Sequence, residues 1–172
     1  MLRRASNWFS PTVGSLQDHQ MIERIETFVH SEPDRPYRLA LGTDSMPNLG
    51  GPVYLVTALL VHQVGHGGIY FWQRKVAGPF PTMRHRIRAE ADRSIRLAKH
   101  LLSHRSFLDL INDGLPIHLD IGTNGDTRSV IQEVANLVRQ QGFSPAIKPD
   151  AYVASRIAHR HTAIPQLITR PA

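Results

Sequence analysis

The sequence predicts an α/β fold on a mixed five-stranded sheet flanked by helices: an antiparallel three-strand meander followed by two parallel strands. Three observations predict it. Three strand-like runs, Tyr37 to Asp44 with its alternating faces, Val53 to Val61 rich in branched and aromatic residues, and Ile69 to Val76, follow one another with only turn signals between them. Helix-like and strand-like patterns then alternate towards the C-terminal end, as crossover connections between parallel strands require. The chain has 172 residues, 41% of them apolar and 20% charged, enough to bury a core and too apolar to stay disordered. The expectation is therefore one domain over residues 1–172.

Taken in order, residues 1–15 read as an irregular leader, because Pro11 and Gly14 interrupt it. From Leu16 to His30 the apolar positions Met21, Ile22, Ile25, Phe28 and Val29 have helical spacing, and Pro33 and Pro36 end that helix. In the first strand Leu39, Leu41 and Thr43 face one way and Arg38, Ala40, Gly42 and Asp44 the other. Residues 46–52 form a wide turn, and Val64-Gly65-His66-Gly67-Gly68 a hairpin turn. The longest helix runs from about Thr82 to Arg105 after the breaker Ala77-Gly78-Pro79-Phe80-Pro81. A fourth strand covers Ile117 to Ile121, a helix Thr127 to Gln141 with Gly142 as its stop, and a fifth strand Phe143 to Ile147. A last helix spans Ala151 to about His159, and residues 163–172 form a loose tail with Pro165 and Pro171.

Composition narrows the chemistry. With no cysteine, disulfides and thiolate metal sites are excluded, and a bound metal must be held by oxygen or imidazole. Twenty Lys and Arg against fourteen Asp and Glu give a net charge of +6, mostly arginine, which favours polyanionic partners. No segment has the apolar length of a membrane span. Met1-Leu2-Arg3-Arg4 resembles the charged start of a signal peptide, but the residues behind it supply no apolar stretch, so a cytoplasmic location is expected.

Four carboxylates stand where a core does not accommodate charge. Asp44 shares its strand face with Ala40 and Gly42, which leave room for an ion or a ligand; the alternative is an aspartate bonding the following turn. Glu90 lies within the continuous helical face Met83, Ile87, Glu90, Ser94, Leu97, Leu101, from which the arginines of the same helix point away. A metal would compensate it, and so would a buried arginine or partial exposure. Asp120 shares a face with His118 and Gly122, mirroring Asp44, and parallel pairing of the two strands would bring both acids to one ion. Asp150 is equally a helix N-cap. Taken together, the four suit a site for Mg²⁺ or Mn²⁺ that clamps a phosphate.

Weaker candidates surround them. Thr43 and Ser45 flank Asp44, Arg128 opens a helix whose amides suit phosphate, and Lys148 precedes Pro149-Asp150; each is read as a substrate contact or as ordinary polarity. Of the ten histidines only His159 and His161 form a close pair, in what reads as a frayed end, so a zinc site there is a minor reading, as is His161 as a proton shuttle.

The segments Leu41-Gly42-Thr43-Asp44-Ser45, Ile87-Arg88-Ala89-Glu90, His118-Leu119-Asp120-Ile121-Gly122 and Ile147-Lys148-Pro149-Asp150-Ala151-Tyr152-Val153-Ala154-Ser155 resemble the YkuK-type ribonuclease-H-like family. The resemblance covers about Met21 to Thr162 and implies a ribonuclease-H-like sheet. In that superfamily the metal-binding acids come from the first strand, the first long helix, the end of the fourth strand and the last helix, the places of Asp44, Glu90, Asp120 and Asp150. By resemblance Asp44 would bridge two ions, Glu90 and Asp120 completing one and Asp150 the other. The implied activity is two-metal hydrolysis of phosphodiester bonds in RNA, DNA or a hybrid. Two further readings stand beside it: a non-catalytic nucleic-acid-binding module, and a metal-dependent phosphohydrolase of small molecules.

Overall fold

The computed structural model describes residues 7–46, 53–111, 114–121 and 128–162. Its elements are β1 (Trp8–Ser10), β2 (Gly14–Leu16), α1 (Asp18–His30), β3 (Tyr37–Met46), β4 (Val53–Gln63), β5 (Gly67–Ala77), α2 (Met83–Leu102), α3 (Arg105–Leu108), β6 (Ile117–Leu119), α4 (Arg128–Gln140), β7 (Pro145–Ala146), a π-helix (Val153–Ala158) and α5 (His159–Thr162). They build a mixed sheet flanked by helices, in the order β2-β1-β5-β4-β3-β6-β7. The meander β3-β4-β5 is antiparallel, and β6 and β7 add in parallel beside β3.

The sheet has seven strands where the sequence led us to expect five. Both extra strands come from the stretch read as a leader. Gly14 adopts φ 78°, which closes a hairpin, so the residue taken as a breaker makes the turn. Burial holds it in place: the Trp8 side chain is fully inside the main core, and the Phe9 ring stacks on Trp72 at 5.0 Å. The long helix also stops early, at Ser103, before the short α3. Residues 163–172, expected to be a loose tail, lie outside the described residues.

The two sheet faces are covered unequally. Leu39, Leu41, Leu59, Val61 and Phe71 face α1, α2 and α4, whose Met21, Ile25, Ile87, Leu101 and Val134 complete the main core. On the other face, Ala40, Val56, Ala58 and Trp72 meet Val153 and Ala158 of the π-helix. Small residues let backbone approach backbone there. A Cβ built on Gly42 would lie 2.7 Å from the Ala154 nitrogen and 2.9 Å from its Cβ. Gly42→Val therefore has to push the π-helix off the sheet, and we expect a loss of about 1–3 kcal/mol in urea unfolding. An unchanged midpoint would contradict this contact. No helix among the described residues is long and apolar enough to cross a membrane.

Candidate functional site

The parallel pairing of β3 with β6 sets Gly42 opposite His118 and Thr43 opposite Leu119. One step further along lie Asp44 and Asp120, both on the face that carries the π-helix, because side chains alternate along a strand. Asp44 is buried and Asp120 half-buried. The Asp44 pKa is raised, first by burial; the hydrogen bond from His159 opposes this, and the Asp120 charge adds to it.

Glu90 comes to the same end of the sheet from the opposite face, on α2. Only 6% exposed, it is held by the Ser45 hydroxyl, which donates to its Oε1 at 2.6 Å. Burial is the main force pushing its pKa up to about 7, with the Asp44 and Asp120 charges helping and Ser45 and Arg86 opposing. Arg86 was expected to point away from this face. Its Nε lies 4.0 Å from Glu90 Oε1 instead, because position i+4 on a helix lies directly along the same side. It also donates to the Ser45 carbonyl at 3.5 Å.

Asp150 is exposed, and its charge is felt by His118. It does not cap the last helix; Tyr152 occupies the N-cap position there. Lys148, also exposed, lies beside the acids, its Nζ 2.6 Å from Asp120 Oδ1. Among the described residues, no three of the four acids bring oxygens within 4.8 Å of one another. Asp44, Glu90 and Asp120 are thus gathered in charge range of one another but not closed around a point, and Asp150 is linked to this end of the sheet through His118.

The hydroxyls of Thr43 and Ser45 are engaged within the protein. Thr43 bonds Thr57 at 2.9 Å and Ser94 at 2.7 Å, and Ser45 is engaged by Glu90; both are buried on the α2 side, away from Asp44. Arg128 begins α4, and its side chain lies outside the described set.

Two histidines lie at this strand end: His118, which the sequence reading left without a role, and His159, which it considered only as half of a minor zinc pair with His161. His159 Nδ1 donates to Asp44 Oδ2 at 2.8 Å. The segment was read as fraying; instead the π-helix runs directly into α5, and that continuation carries His159 back over β3. His118 Nδ1 accepts from the Val153 N–H at 3.2 Å, which ties β6 to the start of the π-helix. Burial lowers its pKa to about 4, consistent with a neutral ring that can accept. The signal for it was present in the sequence: His118 shares a strand face with Asp120. His161 does not reach the acids. It stacks on Trp72 with ring centroids 4.4 Å apart, so it and His159 do not converge on one ion.

The donor set at this strand end is carboxylate oxygen, the hard type that suits Mg²⁺ or Mn²⁺. Two of the carboxyls carry raised pKa values because burial and mutual repulsion oppose their ionisation, and a bound cation would relieve both. The residues fit such a group.

Residues 20–163 match the family model described as ribonuclease H-like. The chain is also 32% identical over 157 residues to a Bacillus subtilis (strain 168) protein named "Uncharacterized protein YkuK", with 83% of this chain and 88% of that protein covered. No solved structure gives a significant match. The family suggests a function of nuclease type or otherwise concerned with nucleic acid. With most of its length matched, the chain belongs to the ribonuclease-H-like family, in its YkuK-type branch.

Proposed function

We propose that the protein is a Mg²⁺- or Mn²⁺-dependent nuclease that hydrolyses phosphodiester bonds of RNA, DNA or a hybrid, with Asp44, Glu90, Asp120 and Asp150 as its ligands for two ions. The observation that carries this reading is the placement of Asp44 and Asp120 one step beyond paired residues on adjacent parallel strands, with buried Glu90 in charge range of both. Ions held there would supply Lewis-acid activation of water and neutralise charge on the leaving oxygen. The protein's own groups do the rest. Lys148, drawn from Asp120, becomes a cation beside the phosphate. His159 holds a proton at Nδ1 against Asp44 until that carboxylate is engaged. His118 fixes the turn from which Asp150 projects.

Because Lys148 competes for Asp120, Lys148→Ala should bind Mn²⁺ more tightly in the absence of substrate. The gain should reach up to about five-fold, the equivalent of the roughly 1 kcal/mol upper range for an exposed ion pair. Calorimetric titration checks it; weaker Mn²⁺ binding would place Lys148 outside this competition.

A specific observation also favours a second reading. The protein's own side chains already occupy two of the four acids, the His159 ring on Asp44 and the Lys148 ammonium on Asp120, as in a module that binds nucleic acid without cleaving it. Labelled RNA, DNA and hybrid duplexes incubated with Mg²⁺, with Mn²⁺ and with EDTA separate the two. Cleavage dependent on the ion supports the nuclease. No cleavage of any substrate, with salt-sensitive binding that survives EDTA, supports the module. Cleavage of small phosphodiesters alone, without polymer binding, would support a small-molecule phosphohydrolase.

A further inference from the structure

Ten residues further along α2 from Glu90, about 15 Å away along the helix, a different set of donors meets. Asp18 is the first residue of α1, His100 lies in the last turn of α2, and His104 caps α3. One ligand atom from each falls within 4.8 Å of the other two. Asp18 Oδ2 lies 2.8 Å from His100 Nε2, and the His100 and His104 rings meet edge-on at 5.2 Å.

Two features set this group apart from a surface ion pair. The Asp18 carboxylate is oriented from behind: the indole N–H of Trp8, a fully buried side chain, donates to Oδ1 at 2.8 Å and leaves Oδ2 facing the histidines. Such a bond to the non-ligating atom is how metal ligands are held in place. His104 Nε2, moreover, is buried and has no hydrogen-bond partner among the described residues. An unpaired buried nitrogen is costly, so its ring stands in want of a partner.

We propose that Asp18, His100 and His104 form a binding site for a borderline divalent cation of the Zn²⁺ class, separate from the acid cluster at Asp44. Two imidazoles and one carboxylate are the donors such an ion takes, whereas the all-oxygen set at the strand ends suits Mg²⁺ or Mn²⁺. Tetrahedral ligands about 2.0–2.1 Å from one ion stand about 3.3 Å apart, so the 2.8 Å Asp18–His100 pair opens slightly, the wider distances close, and a fourth position stays open to water. The ion would fasten the β1 hairpin, α1, and the junction of α2 with α3. It would act at the end of the molecule remote from the proposed cleavage site, and it does not depend on that proposal.

The test uses the full, untagged protein, stripped of metal with EDTA and dialysed. Zn²⁺ is titrated calorimetrically, the thermal midpoint is followed with and without Zn²⁺, and Co²⁺ is used as an optical probe. Wild type and Asp44→Asn should each bind one Zn²⁺ with the same affinity, show a raised midpoint, and give the visible absorption of four-coordinate Co²⁺. His104→Gln and His100→Gln should each weaken Zn²⁺ binding about ten-fold or more and lose the midpoint shift. His100 is the more exposed of the two and serves if the His104 variant does not fold. Equal binding by wild type and both histidine variants overturns the proposal. So does an absence of Zn²⁺ binding, or a loss that follows Asp44→Asn instead.

Discussion

Glu90→Gln is expected to stabilise the metal-free protein by up to about 3 kcal/mol above pH 7, and by almost nothing below pH 4.5. The Glu90 carboxyl is buried, and its pKa is pushed up from 4.5 to about 7 in the folded state. Folded protein then binds more protons than unfolded protein between those values, so stability falls as pH rises through them. Glutamine keeps an oxygen for the Ser45 hydroxyl and removes the ionisation. His118 acts in the opposite sense. Its folded pKa of about 4 lies below the ordinary 6.5, so its contribution is complete above pH 6.5 and is lost as pH falls towards 4. In the wild type the two slopes offset one another over much of the range, and the difference between variant and parent isolates Glu90. Urea unfolding with EDTA at pH 4.5 and pH 8 makes the comparison; parallel curves for the two proteins would refute it. Adding Mn²⁺ at pH 8 should narrow the gap, because a cation beside Glu90 favours its charged form.

Asp44→Asn is expected to reduce ion-dependent cleavage by at least about 10²-fold and to leave the fold intact. Outer partners of metal ligands alone are worth about 10- to 100-fold, and a direct ligand should exceed that. Asparagine matches the shape and still offers Oδ1 to the His159 Nδ1–H, now 2.8 Å from Asp44 Oδ2. Removing one charge also relieves the repulsion from Asp120 that helps raise the Asp44 pKa, so unfolding does not account for the loss. The measurements are kcat/KM with Mn²⁺, the thermal midpoint and salt-dependent binding to the same substrate. A variant that folds and cleaves at the wild-type rate removes Asp44 from the machinery.

What the sequence made legible rests on period and length. β3, β4 and β5 span ten or eleven residues each, with their turns marked by Gly and Pro, and the helical face through Ile87, Glu90, Ser94, Leu97 and Leu101 is buried as its spacing predicts. The matching faces of Asp44 and Asp120 followed from alternation beside Gly42 and His118. The β1 hairpin was illegible because three-residue strands carry no period, and only the burial of Trp8 identifies them. The placement of His159 on Asp44 was missed because nothing in Ile157-Ala158-His159 says that the π-helix continues into α5 over β3. Local pattern likewise hid the Lys148 pairing with Asp120 and the meeting of Asp18 with His100 across 82 residues of sequence.

The unequal covering of the two sheet faces has a dynamic consequence. Glu90 is anchored in the main core, whereas His159 and the turn bearing Asp150 depend on the layer whose buried apolar cluster comprises Ala40, Val56, Ala58, Trp72, Val153 and Ala158. Segments with few buried apolar contacts open at lower free energy than the molecule as a whole. Amide hydrogens of the π-helix should therefore exchange with solvent well before those of α2. Each such opening would withdraw His159 from Asp44 while Glu90 stays in place, so one half of the acid cluster is intermittently exposed by local unfolding of its own cover.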